Sequence, residues 1–451
     1  MSFKPIQKLI ISRTLSTGEE VSVGILAQNR QGVFFQYDAE YLARFDNLSP
    51  FTLDATTGLQ TAPRQPHGGI HGVFADSLPD GWGLLLQDRV FRRQGILPAQ
   101  LTAMDRLALV GAQGMGALTF LPVSEFKPVD HQNLDLATLG FEAQTLFDKS
   151  LTDELDGQTQ EVLATLVAVG SSGGARPKAQ VFMSAGNLEQ CRTYAEPEDE
   201  AWLVKFTSKN LALGHEEGLC EAVYLQMAAQ ANCQPPSWQL IPAAQHKSKQ
   251  SGAIAWLAVK RFDYLSVEHD ARKSNAKNQT TMPGRLHMHS ACGLLDADFR
   301  TPSLDYVDLI KASRQLCKAP SVGQLQFRRA VFNLFAANQD DHSKNWSFLQ
   351  SDDGSWQVAP FYDATFSPNP FNEHATAFNG HGKQPPLKTM KKLAASAGFA
   401  SWSEARQSIH EVVDALGDFS NLARDQDIKK TTLSAIQKIL DQRRKENSDL
   451  L

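Results

Sequence analysis

Apolar and polar positions alternate in short runs through the first part of the chain, to about residue 122. Residues 21–26 and 32–37 alternate around the polar Gln28-Asn29-Arg30-Gln31, which predicts two strands and a turn. The segment Phe74-Ala75-Asp76-Ser77-Leu78-Pro79-Asp80-Gly81 reads as a loop, and residues 82–93 then switch to helical apolar spacing. Residues 110–120 are glycine-rich and end in an expected strand. A polar stretch, 124–143, reads as a linker to the next part. Beyond it come an apolar run at 163–169, a Gly/Ser/Pro loop at 170–178 and a strand at 179–183. A polar turn is expected at 187–200, a strand at 202–206, a helix at 216–231, and strands at 238–241 and 254–259 flanking the polar 245–252. After Phe262 the pattern changes to a polar loop at 267–281 and then mostly helical periodicity, with long helical stretches at 321–337 and 387–440. Strands at 346–349 and 356–359 interrupt it, joined by Ser351-Asp352-Asp353-Gly354-Ser355, and predict a hairpin. No internal repeat is evident. The expectation is an α+β chain with its β-rich part first.

Composition narrows this little. Over 451 residues, 42% apolar and 21% charged content is ordinary for a globular protein. A net charge of -5 argues against wholesale coating of nucleic acid. The five cysteines are scattered with no Cys-x-x-Cys pair, so neither a zinc knuckle nor a redox motif is visible and reduced thiols are expected. The N-terminus lacks a signal-peptide core, and no apolar run approaches the roughly twenty residues of a membrane span. A soluble, cytoplasmic protein is expected.

The hairpin supplies the chemistry. It should bring its two ends together, placing Asn345 near Asp363 although eighteen residues separate them, with Asp340 five residues before Asn345. Phosphoryl transfer with two magnesium ions needs one carboxylate to orient the attacking hydroxyl, and an amide oxygen and a second carboxylate to hold the metals on the phosphates. Asp-x-x-x-x-Asn followed by a metal-binding Asp is how kinase folds provide these groups. The competing reading is that Asp, Asn, Ser and Gly are simply turn residues.

Three further features fit a kinase. The loop from Gly170 to Lys178 lies between two strands, where glycines let backbone N–H groups approach phosphate oxygens, with Arg176 and Lys178 adding charge; the alternative is a plain hairpin turn. It is not a Walker A loop. Lys205 sits in the apolar Leu203-Val204-Lys205-Phe206, and a buried ammonium needs an anion, which ATP phosphates would provide. An outward-facing edge position would remove that need. Glu221 could pair with Lys205, as could Glu216 or Glu217. Lys260-Arg261-Phe262-Asp263 stands where a hinge would bond adenine, with Phe262 flanking the base and Asp263 the ribose; a strand end with solvated charges reads equally well. His287 and His289 alternate but lack a Cys or acidic partner at ligand spacing, so zinc is not expected.

Together these motifs resemble the HipA family of bacterial toxin Ser/Thr protein kinases, over most of the chain. The carrying residues are Asn338-Gln339-Asp340-Asp341-His342-Ser343-Lys344-Asn345, Pro360-Phe361-Tyr362-Asp363, and Ser171 to Lys178 with Lys205. In the first part they are Phe35-Gln36-Tyr37-Asp38, Tyr41-Leu42, Leu48-Ser49-Pro50, the segment Phe74 to Gly81, Val110-Gly111 and Gly116-Ala117-Leu118. The hinge departs from the family's usual Glu-Arg-Phe-Asp by carrying Lys260. The resemblance implies a bilobal protein-kinase-like fold, with a β-rich N-lobe, an α-helical C-lobe and an additional small β-rich N-terminal domain. The expected spans are 1–123, 124–262 and 263–451. It implies ATP and Mg2+ as cofactors, Asp340 as the catalytic acid–base residue, and Asn345 and Asp363 as metal ligands. Ser172, Gly173, Gly174, Ala175, Arg176, Lys178, Lys205, Phe262, Asp263 and Tyr362 would surround the nucleotide. Autophosphorylation would fall on Ser171 first and Ser172 second. The implied partners are a helix-turn-helix antitoxin of the HipB type, through which alone DNA is met, and a protein substrate, aminoacyl-tRNA synthetases being among the family's known targets. A silent corepressor module and a small-molecule kinase remain the rivals.

Overall fold

The computed structural model describes residues 3–127, 133–150, 159–168, 170, 173–184, 186–196, 198–243, 252–265 and 283–451. Ser171 and Ser172 lie outside the described residues, as do nearly all of the polar stretch at 245–252 and the loop at 267–281. The chain divides into two compact units. The first comprises Met1–His215, Gln239–His289 and Leu349–Gly354, and the second comprises Glu216–Trp238, Ser290–Phe348 and Ser355–Leu451. The expected first two domains thus share one unit, while the helix expected at 216–231 belongs to the other.

Two larger sheets lie in the first unit. In one, β1 (Lys8–Thr14), β2 (Glu20–Asn29), β3 (Gly32–Tyr37), β4 (Gln60–Thr61) and β5 (Leu118–Leu121) lie in the order β4-β3-β2-β1-β5, with every pair antiparallel. Period-2 alternation explains its core: Leu9 and Ile11 of β1 and Phe35 and Tyr37 of β3 are buried, while Ile10 is turned out. They pack with Phe74, Leu107 and Phe120, and Phe35 meets the rings of Tyr37 and Phe74 edge-on at 4.6 and 4.8 Å. Arg13 of β1 is fully buried; its guanidinium donates to Tyr41 Oη (3.0 Å), Gln350 O (3.2 Å) and Ser351 O (3.1 Å), with Asp352 at 3.5 Å.

The other sheet consists of β6 (Asn133–Asp135), β7 (Lys178–Ser184), β8 (Asn187–Arg192), β9 (Asp199–Lys205), β10 (Trp238–Pro242) and β11 (Ala255–Lys260), in the order β10-β11-β9-β7-β8-β6. Helices Gly81–Arg93, Leu136–Ser150 and Thr159–Ala168 pack apolar faces into the same core as Val181, Met183, Val204, Phe206 and Trp256. Three expectations need correction. The linker read at 124–143 contains β6 and the start of a helix, whose Leu136, Leu139, Ala143 and Leu146 form one buried stripe. The polar turn at 187–200 contains β8, a strand that buries only Cys191 and so lacks the alternation that would reveal it. The loop at 74–81 begins inside a short helix, Gly72–Ala75.

The second unit is mainly helical, through Glu217–Gln230, Tyr306–Cys317, Pro320–Ala336, Leu387–Ala397, Trp402–Gly417, Phe419–Asp425 and Lys430–Glu446. Tyr224, fully buried, explains why Glu217–Gln230 belongs here: its ring meets Phe332 and Phe419, and its hydroxyl donates to Ala336 O at 2.8 Å. Among the described residues no helix is long and apolar enough to cross a membrane.

Candidate functional site

The loop carrying Asp340 begins where the helix Pro320–Ala336 stops, at Ala337 in the left-handed region (φ +52°). A chain of buried side chains then fixes it. Asn338 donates to Asn333 Oδ1 (2.7 Å), Ser367 Oγ donates to Asn338 Oδ1 (2.8 Å), and Asn333 donates to the hydroxyl of Tyr306 (2.9 Å). Gln339 uses both ends of its amide, donating to Asn372 Oδ1 (2.9 Å) and accepting from Asn369 N (2.8 Å).

Asp341 is the hub of this network. Its carboxylate accepts from Tyr306 Oη (2.5 Å), His374 Nδ1 (2.9 Å), Ala375 N (2.8 Å) and Thr376 N (3.2 Å). Its carbonyl accepts from Trp346 Nε1 (3.1 Å) and Thr376 Oγ1 (2.5 Å). Burial, reinforced by the Asp341 charge, pushes the Tyr306 phenol well above its ordinary range. Sequence reasoning missed Asp341, because an Asp-Asp pair does not say which member points inward.

Asp340, its neighbour, points outward with its side chain 68% exposed. Its main chain is held instead: its N–H donates to Ser367 Oγ (3.2 Å) and its carbonyl accepts Asn345 Nδ2 (2.7 Å). That bond commits the Asn345 nitrogen to the loop, so its amide oxygen is the end not used in it. His342 Nε2 is 3.7 Å from Asp340 Oδ1.

The hairpin forms as read, with strands Ser347–Gln350 and Trp356–Val358 and Ala359 N donating to Ser347 O at 2.8 Å. Tyr362 closes its base, since its hydroxyl lies 2.6 Å from both Lys344 O and Ser347 Oγ. Arg329 braces the returning arm by donating to Ala359 O (3.1 Å) and Cys233 O (2.9 Å), and burial lowers its guanidinium to about 10. Asp363 follows in the left-handed region (φ +52°), where Asp is tolerated better than bulkier residues. Among the described residues no group of three or more His, Cys, Asp or Glu is arranged to hold a metal. Asn345 and Asp363 offer an amide and a carboxylate oxygen, hard donors that suit magnesium rather than zinc.

In the first unit, Lys205 ends β9 and is buried, as its apolar flanks suggested. The β7–β9 register sets Lys178 directly opposite it, also buried. Like charges on facing positions repel unless an anion intervenes. Lys178 Nζ donates to Gly173 O at 2.5 Å.

The glycine loop itself is gripped by Asp80-Gly81-Trp82. Trp82 N donates to Gly174 O (2.9 Å) and Trp82 Nε1 to Lys178 O (3.1 Å). Gly174 N donates to Asp80 Oδ1. Asp80 stands at the N-cap of the helix Gly81–Arg93 yet makes no side-chain cap bond there. A Cβ on Gly81 would fall 2.3 Å from Gly174 O, and one on Gly173 would fall 2.8 Å from both Asp80 carboxylate oxygens. These two glycines are therefore required by the docking of loop on helix, before any phosphate is considered.

Asp263 is not placed as a ribose ligand. It is fully buried, with Arg261 Nε on Oδ1 (3.0 Å) and both Arg261 Nη2 (2.5 Å) and Gly116 N (2.7 Å) on Oδ2. Burial pushes this carboxyl up, but the charge and hydrogen bonds of Arg261, with Arg285 and Gly116, outweigh it and hold it below its ordinary range. Lys260, the residue that departs from the usual hinge, pairs with Glu200 at 2.5 Å. Phe262 is half-buried beside this pair in sequence.

His287 and His289 also prove structural. His289 bridges Ser49 Oγ (2.8 Å) and Asp76 Oδ2 (2.6 Å), while His287 Nε2 lies 3.0 Å from Leu48 O. The Ser49-His289-Asp76 line has triad-like order, but Ser49 and His289 are fully buried, so no substrate reaches the hydroxyl.

Comparison with known proteins agrees with this architecture. No curated protein matches the sequence. The HipA–HipB–operator DNA complex of the Shewanella oneidensis MR-1 toxin–antitoxin system matches at a TM-score of 0.64 and 14% identity, covering 98% of this chain and 97% of that one. The Helicobacter pylori proinflammatory kinase CtkA matches at a TM-score of 0.37 and 11% identity, over 60% of this chain and 94% of its own. Family models match twice: the HipA N-terminal domain over residues 18–121 and the HipA-like C-terminal domain over 170–418, more than half of the chain. With a β-rich first domain ahead of the loop and hairpin just described, the chain belongs to the HipA family.

Proposed function

We propose that this chain is an ATP- and magnesium-dependent Ser/Thr protein kinase, a HipA-type toxin acting in the cytoplasm with a HipB-type antitoxin. The observation that carries the reading is the contrast at Asp340-Asp341. The carboxylate of Asp341 is spent on holding the loop through Tyr306, His374 and Ala375, whereas that of Asp340 beside it is presented outward. That is what a general base for an incoming hydroxyl requires.

In this reading Asp340 accepts the proton of the Ser or Thr hydroxyl. Asn345, through its amide oxygen, and Asp363 hold magnesium, which when bound neutralises charge on the β- and γ-phosphates. Lys205 and Lys178, on facing positions of β9 and β7, take the phosphate oxygens. Gly173 to Arg176 shape the loop above them, and Phe262 and Tyr362 border the nucleotide. Asp263 is assigned to the buried Arg261 pair and not to the ribose. Autophosphorylation is proposed on Ser171 or Ser172, and the external substrate is a protein, with a synthetase as one candidate class. DNA is met through the antitoxin, a reading supported by the Shewanella assembly, in which HipA, HipB and operator DNA form one complex.

The test is intact mass after incubation with Mg-ATP. Wild type gaining one phosphate, mapped to Ser171 or Ser172, with no gain in Asp340→Ala, supports the kinase. No phosphoryl transfer by an initially unmodified wild type, to itself or to any protein offered, favours a silent antitoxin-binding module.

A further inference from the structure

The grip of Asp80 on the glycine loop has a consequence for nucleotide binding, and the inference rests on the kinase reading above. A glycine loop holds phosphate by pointing backbone N–H groups at its oxygens. Here one of those donors, Gly174 N–H, is already taken by a carboxylate. Both oxygens of Asp80 lie against Gly173, each 2.8 Å from where a Cβ would stand, so the carboxylate is packed directly on the Gly173-Gly174 turn. The site is built rather than incidental. Asp80 is about nine-tenths buried, forgoes its ordinary cap bond, and is followed by Gly81 and Trp82, which fix the same turn through Gly174 O and Lys178 O. Lys178 Nζ donates to Gly173 O of the same turn at 2.5 Å.

We infer that Asp80 is an internal competitor of the ATP phosphates for the glycine loop, a positioning residue that sets ATP affinity. Carboxylate and phosphate are both anionic acceptors, so one N–H cannot serve both, and their charges repel at this range. ATP binding must therefore release Gly174 N–H from Asp80.

The experiment is titration calorimetry with Mg-ATP on Asp340→Ala, which removes turnover, and on the same chain with Asp80→Asn added. Asparagine keeps an acceptor oxygen of the same shape but no charge, and it should tighten Mg-ATP binding about five- to thirtyfold, the difference between a charge-assisted and a neutral contact. In the chain with Asp340 intact, Asp80→Asn should lower KM for ATP by a similar factor while leaving kcat near its starting value. A merely structural Asp80 predicts equal or weaker ATP binding by Asp80→Asn, and that result overturns the inference. Should Asp80→Asn fail to fold, Asp80→Ser provides the same comparison with a smaller acceptor. If the parent chain binds no Mg-ATP at all, the kinase reading itself falls, a failure distinct from unchanged affinity.

Discussion

Neighbouring aspartates should give opposite phenotypes. Asp341→Ala strips the acceptor from four donors at once: the buried Tyr306 hydroxyl, His374 Nδ1 and Thr376 N–H, and the half-buried Ala375 N–H. A buried donor left without its acceptor costs about 1–3 kcal/mol, and four donors lose theirs here. Allowing for one or two waters filling the space, the loss should be about 4–6 kcal/mol. At roughly 2–4 °C per kcal/mol for a unit of this size, the transition of the second unit should fall by on the order of 10–20 °C. Trp346, whose indole donates to the Asp341 carbonyl, offers an intrinsic fluorescence probe of that transition. Asp341→Asn should be intermediate, since its carbonyl oxygen still serves the two backbone donors. Asp340→Ala, an exposed side chain, should leave stability within about 0.5 kcal/mol while ending phosphoryl transfer. A melt of Asp341→Ala coincident with wild type, or a large destabilisation by Asp340→Ala, would show that the two roles have been assigned to the wrong residues.

Two further outcomes are expected. His287 is fully buried, and burial, followed by the charges of Arg13 and His289, holds its pKa well below the ordinary value. Below about pH 6.5 the unfolded chain takes up a proton that the folded chain refuses, so stability should fall on acidification by up to about 1.4 kcal/mol per pH unit. Tm measured from pH 7.5 to 5.5 should therefore drop more steeply in wild type than in His287→Gln; parallel curves would exclude this titration as the cause. Burial also pushes the thiols of Cys191, Cys233 and Cys317 up to about 12. A disulfide reagent at pH 8 should find no rapidly reacting thiol in the folded protein, Cys317 reacting first and slowly, and all five in guanidinium. Rapid native labelling of several cysteines would contradict the fold.

Two features near the proposed site were readable because their signals were local. The hairpin was announced by its Asp-Asp-Gly turn between two tryptophan-led strands, and the burial of Lys205 by its apolar neighbours. What escaped depends on partners far along the chain. Asp341 differs from Asp340 only through Tyr306, 35 residues earlier, and His374 to Thr376, 33 to 35 residues later. Asp263 looked like a solvated strand end or a ribose ligand, and Gly116, 147 residues before it, helps bury it. Asp80 was visible within a motif, but its partner loop lies 94 residues on. Strand β8 was lost for another reason: flanked by β7 and β6, it buries only Cys191, so its sequence reads as turn.

The long reach of Arg13 bears on how the protein is made. Its partners at Gln350, Ser351 and Asp352 are translated 337 to 339 residues after it. At about 5–20 residues per second, a ribosome takes roughly 20–70 s to cover that distance. Through that interval strand β1 is present with its guanidinium, while of the groups that finally hold it only Tyr41 has been synthesised. The first sheet therefore cannot complete its interior on the ribosome until some four-fifths of the polypeptide exists. Premature termination anywhere before Leu349 should leave a nascent fragment with an uncompensated interior cation, a product marked for proteolysis rather than for partial activity.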